Sequence, residues 1–188
     1  MLESILQKDK QLLIYLNNLG NEQWDSFWLV ITNQLYWTPL FVFIIYSIIK
    51  SFGWKRGGFI ILSMIVLVTF SDQFANFIKN TTARVRPNND PEIKHLLRHL
   101  INPQSYSFIS GHATTSTFFT VFSILLLKEK CQYIYFILFF PLIFAYSRLY
   151  LGVHFPLDIF MGIIIGLLLG NIYFYFFKKV DKRLFFKT

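Results

Sequence analysis

The stretch FPLDIFMGIIIGLLLGNIYFYFF, at residues 155–177, contains a single charged residue, Asp158, in 23 positions. About 20 consecutive apolar residues are enough for a helix to cross the hydrocarbon core of a bilayer. Four further segments are apolar and long enough to cross, or nearly so, at about 26–49, 57–78, 112–127 and 132–149. The sequence therefore predicts an all-α polytopic membrane protein, a helical bundle with five transmembrane helices.

The composition agrees with a membrane protein that forms one domain over residues 1–188. Hydrophobic residues make up 54% of the chain and charged residues only 15%, which is too little charge to cover the surface of a soluble domain. The single cysteine, Cys131, excludes an internal disulfide. Residues 1–25 are interrupted by charges, so we expect no secretory signal peptide.

Apolar residues near the N-terminus recur at helical spacing, with charged and amide side chains between them. They predict an amphipathic helix in the membrane interface, with a sixth crossing as the alternative, and they are Leu2, Ile5, Leu6, Leu12, Leu13, Leu16 and Leu19. The segment between Pro91 and Pro103 predicts a second, short interfacial helix. Pro39 and Pro141 lie inside predicted spans, which we expect them to kink.

Three short clusters of cations, histidines and one carboxylate stand at the edges of the predicted spans. They are Lys79 with Arg86-Pro87, then Ser110-Gly111-His112, and then Ser147-Arg148 with His154 and Asp158. Charge near a bilayer is costly, so such clusters mark functional sites. Together they predict a pocket for a phosphate group.

Five crossings place all three clusters on one side of the membrane, which we call the site side. The opposite side holds ten basic and two acidic residues, so it carries the entire net charge of +8. By the positive-inside rule, that side and the C-terminus are cytoplasmic. We therefore expect the site to face outward. This charge distribution also argues against nucleic acid as a partner.

The residue types in the clusters suit phosphate chemistry. Lys79, Arg86 and Arg148 can neutralise a phosphoryl dianion, and arginine offers a fork that matches its oxygens. Ser110 can cap a helix whose first N–H groups then point at an anion, and Gly111 permits close backbone approach.

The histidines and the carboxylate supply groups that can break a bond to phosphate. His154 and Asp158 are four residues apart and share a face if they lie on a helix, so the carboxylate can orient the ring and leave one nitrogen free to attack phosphorus. His112 comes from another span and can protonate the leaving oxygen.

This ordered set of motifs, K-x6-R-P, S-G-H and S-R-x5-H-x3-D, resembles the type 2 phosphatidic acid phosphatase (PAP2) family of membrane lipid phosphatases, including its compact bacterial members. The resemblance covers residues 70–160 by motif and the whole chain by span layout. It implies that His154 becomes a phosphohistidine, that Asp158 orients it and that His112 is the general acid. It also implies that Lys79, Arg86, Arg148, Ser110 and Gly111 bind phosphate, with no metal or other cofactor.

The implied activity is hydrolysis of a lipid phosphate or pyrophosphate headgroup at the outer face of a bacterial inner membrane, toward the periplasm. Candidate substrates are undecaprenyl pyrophosphate, phosphatidylglycerol phosphate, phosphatidic acid and a lipid A phosphate. One alternative is a lipid phosphotransferase that uses the same phosphohistidine. Another is a non-enzymatic lipid-phosphate transporter, which would need the cations but not the histidine–aspartate pair.

One residue departs from the family pattern. Ile109 stands where the family usually has proline before the serine of the second motif, which removes a constraint on the phosphate loop but no catalytic atom. We therefore expect activity to survive.

Several other residues admit structural interpretations. His95 and His99 have no apparent third metal ligand, and we expect them at headgroup level. Asp72 is expected to be a structural partner of a site cation. The glycines of the fifth span, Gly162, Gly166 and Gly170, are expected to permit close helix packing. The tryptophans are expected mainly to anchor the span ends in the interface, and they are Trp24, Trp28, Trp37 and Trp54.

Overall fold

The computed structural model describes residues 2–186, and this part of the chain is all-α, as predicted. Its α-helices are α1 (Leu2–Asn18), α2 (Glu22–Thr32), α3 (Thr38–Thr82), α4 (Gly111–Leu127), α5 (Phe139–Tyr150) and α6 (Pro156–Phe185). Shorter 3-10 segments lie at Gln34–Trp37, Pro87–Asn89, Lys94–Leu96 and Gln132–Leu138.

Three helical segments in the described range are long and apolar enough to cross a membrane. They are Gln34–Asn89, Gln132–Tyr150 and Pro156–Phe185, while Gly111–Leu127 is apolar but shorter. The protein is therefore a helical protein with membrane-spanning segments, and five crossings stay a prediction.

The first of these segments contains a sharp turn at Gly53. Its backbone there has φ 71° and ψ 173°, a conformation that glycine adopts without steric cost. A β-carbon placed on Gly57 would lie 3.4 Å from the Cα of Ile49, whereas eight residues of continuous helix span about 12 Å. The chain therefore turns back at Gly53, inside the 50–56 loop expected between the first two spans.

The prediction of a continuous span at 26–49 was wrong. Helix α2 ends at Thr32. Asn33 then adopts an extended backbone conformation, and its side chain accepts a hydrogen bond from the amide of Leu35. A local side-chain cap of this kind competes with helix continuation, so a new helix has to begin after it.

Neither proline produces the predicted kink inside a helix. Pro39 lies in the first turn of α3, where its missing N–H costs nothing. Pro141 is the third residue of α5, and the preceding part of the predicted span, Gln132–Leu138, is 3-10 helix. Both residues therefore stand at helix beginnings.

Helix α1 confirms the predicted N-terminal helix, and it lies at the end of the bundle that carries the clusters. Asn17 donates to the carbonyl of Tyr150 at the end of α5 over 2.7 Å. Asp9 accepts from the amide of Leu157 at the beginning of α6 over 2.9 Å. The helix is therefore attached to both neighbours of the connection that carries His154.

The predicted helix between Pro91 and Pro103 is absent, and the segment forms only the 3-10 turn Lys94–Leu96. Side chains of α1 bind its backbone instead. Asn17 accepts from the amide of Arg98 over 2.7 Å, and Asn18 donates to the carbonyl of Leu96 over 3.2 Å. Peptide groups bonded in this way are not available for a helical ladder.

Helices α4 and α6 pack closely along the glycine face of α6, as predicted. A β-carbon on Gly166 would lie 2.7 Å from the carbonyl oxygen of Thr114, and one on Gly162 would lie 2.9 Å from that of Ser110. Only glycine permits this backbone approach, which resembles small-residue packing between membrane helices. The contact brings the beginnings of both helices together.

The tryptophans divide into two groups. Trp54 and Trp24 are exposed, which agrees with the predicted interface anchors. Trp28 stacks on Tyr150 with ring centroids 5.3 Å apart, and Trp37 packs on Phe140 at 4.7 Å. These two contribute to aromatic packing between α5 and the preceding part of the chain.

Candidate active site

All eight residues predicted for the site lie at one end of the bundle, where α3 and α5 end and α4 and α6 begin. The Nζ of Lys79 lies 3.6 Å from the position of a β-carbon on Gly111. The backbone amide of Ser110 donates to the carbonyl of Asp158 over 3.1 Å. Segments far apart in the sequence are therefore in direct contact there.

The ring of His154 is fully enclosed between a cation and a carboxylate. Its Nε2 lies 3.2 Å from Nη1 of Arg86, and its Nδ1 lies 3.4 Å from Oδ2 of Asp158. Because arginine can only donate, Nε2 must accept, which assigns the ring proton to Nδ1. The tautomer therefore keeps a lone pair on Nε2, the atom that a nucleophilic role requires.

The charge state of His154 also favours a nucleophile. Burial lowers the pKa of His154 from 6.5 to about 3, and the cations Arg86 and Arg148 act in the same direction. The opposing effect of Asp158 is smaller than that of burial. The imidazole is therefore neutral at ordinary pH.

Asp158 is fully buried and its oxygens are saturated with donors. Oδ1 accepts from Nη1 of Arg84 over 2.6 Å. Oδ2 accepts from the hydroxyl of Ser107 and, over 2.9 Å, from the backbone amide of Phe155. These contacts keep the carboxylate charged and fix its orientation toward His154.

The three predicted phosphate-binding cations are all buried, and none has an acidic partner among residues 2–186. Arg86 donates to Ser105 and to the carbonyl of Val153, which are neutral groups. Arg148 donates to the hydroxyl of Thr32, and its Nε has no partner. Lys79 is 9% exposed, and its side-chain Nζ forms no hydrogen bond within the described range. Buried cations without counter-charges are costly, so this arrangement favours a bound anion.

His112 lies in the first turn of α4 with its ring stacked on Phe144, at a centroid distance of 4.6 Å and an interplanar angle of 28°. The cations Lys79 and Arg148 and the ring of His154 are among its titratable neighbours. The first N–H groups of α4 have no intrahelical partners, and Ser110 caps the helix by accepting from Ala113. A phosphate near these amides would therefore lie beside both histidines.

The segment around Ile109 is held by hydrogen bonds on both sides. The amide of Ser107 donates to the carbonyl of Arg84 over 2.9 Å, and the hydroxyl of Thr82 donates to the carbonyl of Phe108 over 3.0 Å. Ile109 itself is completely buried. Packing and backbone contacts therefore constrain this loop in the absence of the usual proline.

Sequence reasoning missed four residues that hold the site together: Asp9, Thr32, Arg84 and Ser107. Each acts across a long sequence separation, so no local motif indicates it. Only Arg84 had a usable signal, because it is a further cation two residues before Arg86.

Asp72, expected to be a structural partner of a site cation, acts on Lys79 only through its charge and without direct contact. Its carboxylate accepts from Asn76 over 3.1 Å, and it forms no ion pair with the cations of the described range. His99 is bonded to the carbonyl of Lys94 over 2.5 Å. Between residues 2 and 186, no group of three His, Cys, Asp or Glu side chains is arranged to hold a metal ion.

A cavity of about 530 Å³ lies at the opposite end of the bundle. In its wall, Arg56 is already neutralised by Asp181 through hydrogen bonds of 2.9 and 2.6 Å, and no histidine lines it. The groups suited to phosphate chemistry therefore lie at the site end.

A neutral histidine oriented by a carboxylate, among buried cations at the end of apolar helices, defines a membrane enzyme that acts on phosphate groups. The family model described as the PAP2 superfamily matches residues 56–182. The chain belongs to the PAP2 superfamily, and the prediction of a membrane lipid phosphatase is confirmed at the level of family and enzyme class.

Two curated relatives are similar over most of their length. The lipid A 4'-phosphatase of Bacteroides thetaiotaomicron is 31% identical over 98% of this chain and 83% of the relative. The lipid A 4'-phosphatase of Porphyromonas gingivalis is 28% identical over 90% of this chain and 73% of the relative.

The fold is shared with solved structures of the same class. A transmembrane PAP2 type phosphatidylglycerolphosphate phosphatase from Bacillus subtilis has a TM-score of 0.74 and 22% identity, covering 94% of this chain and 88% of that one. Aquifex aeolicus LpxE has a TM-score of 0.67 and 24% identity, and the match covers 88% of this chain and 93% of that one.

Proposed function

We propose that this protein hydrolyses a phosphomonoester of a lipid A molecule through a phosphohistidine on His154, without a metal. The observation that carries the mechanism is a set of three buried cations around a neutral, oriented histidine, without acidic partners in the part of the chain that the structure describes. A bound phosphate dianion stabilises such a site, and the site already contains the nitrogen atom that attacks the phosphorus.

The reaction follows from the positions of the side chains. A bound phosphoryl group accepts hydrogen bonds from Arg86, Arg148 and Lys79, and Arg86 releases Nε2 of His154. Nε2 then forms a bond to phosphorus as the bond to the lipid oxygen breaks, and that oxygen takes a proton from His112. His112 enters this step protonated, because the bound phosphate dianion stabilises its imidazolium. In the second half, water attacks the phosphohistidine and gives a proton to the now neutral His112, which restores both histidines and releases phosphate.

Similarity supports lipid A among the candidate lipids. The relatives named for lipid A cover 98% and 90% of this chain. The undecaprenyl-diphosphatase of Sulfolobus acidocaldarius and the phosphatidylglycerophosphatase B of Bacillus subtilis match over only 60% and 64% of it. The whole-length match favours the lipid A phosphomonoester as substrate.

The test is phosphate release in detergent from lipid A, undecaprenyl pyrophosphate, phosphatidylglycerol phosphate and phosphatidic acid. We expect the highest kcat/KM on lipid A, unchanged by EDTA, and no release by His154→Ala. Full activity of that variant, or a requirement for metal, would contradict the mechanism. A preference for another lipid would contradict the substrate, and a new phospholipid without free phosphate would indicate transfer.

The proposed sidedness places the site at the outer face and the C-terminus in the cytoplasm. It rests on the charge asymmetry between the two ends of five crossings. In a Cys131→Ser background, an impermeant maleimide added to spheroplasts should label Asn89→Cys at the site end but not Lys130→Cys. Labelling of Lys130→Cys alone would show that the protein has the opposite orientation in the membrane.

A further inference from the structure

Helix α1 inserts one buried carboxylate, that of Asp9, into the wall of the site. Its Oδ2 accepts from Nη2 of Arg84 over 2.7 Å, and its Oδ1 accepts from the amide of Leu157 over 2.9 Å. The Asp9 side chain is 1% exposed. A buried acid with both oxygens bonded to other elements is a directional contact and not a solvated surface charge.

Arg84 connects this acid to the catalytic one. Its Nη1 donates to Oδ1 of Asp158 over 2.6 Å, while Nη2 is bound to Asp9. The guanidinium also lies over the ring of Phe155, 4.0 Å from its centroid. A planar group held on two edges and one face has little freedom to rotate, so it presents a fixed donor to Asp158.

The second oxygen of Asp9 acts on the helix that carries Asp158. Leu157 follows Pro156 in the first turn of α6, where amide groups have no intrahelical partner. Asp9 satisfies that amide and places negative charge at a helix N-terminus, which stabilises it. Asp9 thus holds both the backbone of α6 and, through Arg84, the side chain of Asp158.

We propose that Asp9 and Arg84 are positioning residues for the catalytic pair, so that one side chain of the N-terminal helix acts on the reaction. Neither residue contacts the reacting nitrogen. Arg84 holds Oδ1 of Asp158 in place, which directs Oδ2 toward Nδ1 of His154, and Asp9 holds Arg84. The inference rests on the proposed role of His154 as the nucleophile.

The adjacent residue offers a matched control. Lys10 lies on the same helix and also forms ion pairs, with Asp90 over 2.8 Å and Glu92 over 2.7 Å. These pairs attach α1 to the 84–92 loop at the surface and do not reach α6. Loss of the Lys10 contacts removes a tether of α1 and leaves the Asp9–Arg84–Asp158 chain intact.

The experiment compares Asp9→Ala, Asp9→Asn, Arg84→Gln, Arg84→Lys and Lys10→Gln in the full-length protein in detergent. Phosphate release from lipid A gives kcat and KM, and thermal unfolding gives Tm. We expect Asp9→Ala and Arg84→Gln to lower kcat by about 10- to 100-fold with little change in KM, as small misplacements of catalytic groups do. Arg84→Lys should recover part of the loss, and Lys10→Gln should resemble wild type.

Two results would overturn the inference while the proposed function stands. One is wild-type kcat in Asp9→Asn and Arg84→Gln. The other is an equal loss of kcat in Lys10→Gln, with Tm falling in parallel. All the variants would then lower kcat only by weakening the attachment of α1 to the rest of the protein. If His154→Ala were as active as wild type, the proposed function and the inference would both be wrong.

Discussion

Arg86 donates from Nη1 to Nε2 of His154 over 3.2 Å, so a cation is bonded directly to the proposed nucleophile. The same guanidinium donates from Nε to the carbonyl of Ser105 over 2.5 Å and from Nη1 to the carbonyl of Val153 over 2.9 Å. These neutral acceptors orient the fork without cancelling its charge. A phosphate that takes the Nη1 donor therefore gains a charged hydrogen bond and releases the nucleophile in one movement.

We expect Arg86→Lys to weaken inhibition by inorganic phosphate, because lysine keeps the charge but lacks the fork. Loss of one hydrogen bond to a charged group costs about 1.5–3 kcal/mol, which corresponds to about a 10- to 100-fold higher inhibition constant. Arg183→Lys, at an exposed position of α6, is the control and should bind phosphate as wild type does. Equal inhibition constants in the two variants would contradict the role of Arg86.

A second prediction concerns proton donation by His112. His112→Ala should lower the rate on a lipid phosphate by about 10²- to 10⁴-fold, the usual range for general acid catalysis. On an aryl phosphate, whose leaving oxygen needs no proton, the loss should be much smaller. The measurement is the ratio of the two rates in wild type and variant. A loss of the same size on both substrates would assign His112 to phosphate binding.

The low pKa of His154 predicts how stability changes with pH. The folded protein keeps His154 neutral down to about pH 3, whereas an unfolded histidine takes up a proton near pH 6.5. Between these values the unfolded state binds more protons, so this residue costs stability as the pH falls. Tm of wild type should fall relative to that of His154→Asn between about pH 7 and pH 5. A constant difference would mean that His154 is not desolvated.

Helix packing supplies a fourth prediction, with a matched pair of glycines. Gly166→Ala should destabilise the protein by about 1–3 kcal/mol, because the new β-carbon would lie 2.7 Å from the carbonyl oxygen of Thr114. Gly58→Ala, where a β-carbon has no neighbour within 4 Å, should stabilise α3 by about 0.5–1 kcal/mol. Thermal unfolding in one detergent compares them. Destabilisation by both variants would show that the α4–α6 contact is not specific.

The sequence by itself was sufficient for the class of fold and the chemistry of the site. Apolar length predicts membrane helices whatever their packing, because backbone groups in lipid must be satisfied within the helix. The cations and histidines stand in ordered motifs, so Lys79, Arg86, His112 and His154 could be identified before any distance was known. The glycine face of α6 was likewise visible in its spacing of four residues.

Helix boundaries and supporting contacts depended on the tertiary structure. Whether 26–49 is one helix depends on a side-chain cap at Asn33, and whether 91–103 is helical depends on competition from Asn17 and Asn18 of another helix. Short-range patterns cannot report the competition at 91–103, because its hydrogen bonds join residues about 80 positions apart, whereas the cap at Asn33 is local and binds the amide of Leu35.

Asp9 shows most clearly what only tertiary structure decides. In the sequence it lies between two lysines on an amphipathic helix, where a solvated charge is the ordinary expectation. Folding places its carboxylate 2.9 Å from the amide of Leu157, which is 148 positions away in the sequence, and joins it through Arg84 to the carboxylate that orients the nucleophile. Local sequence determines which groups are available for catalysis, while long-range packing determines which of them meet, because burial and hydrogen-bond direction exist only in the folded chain.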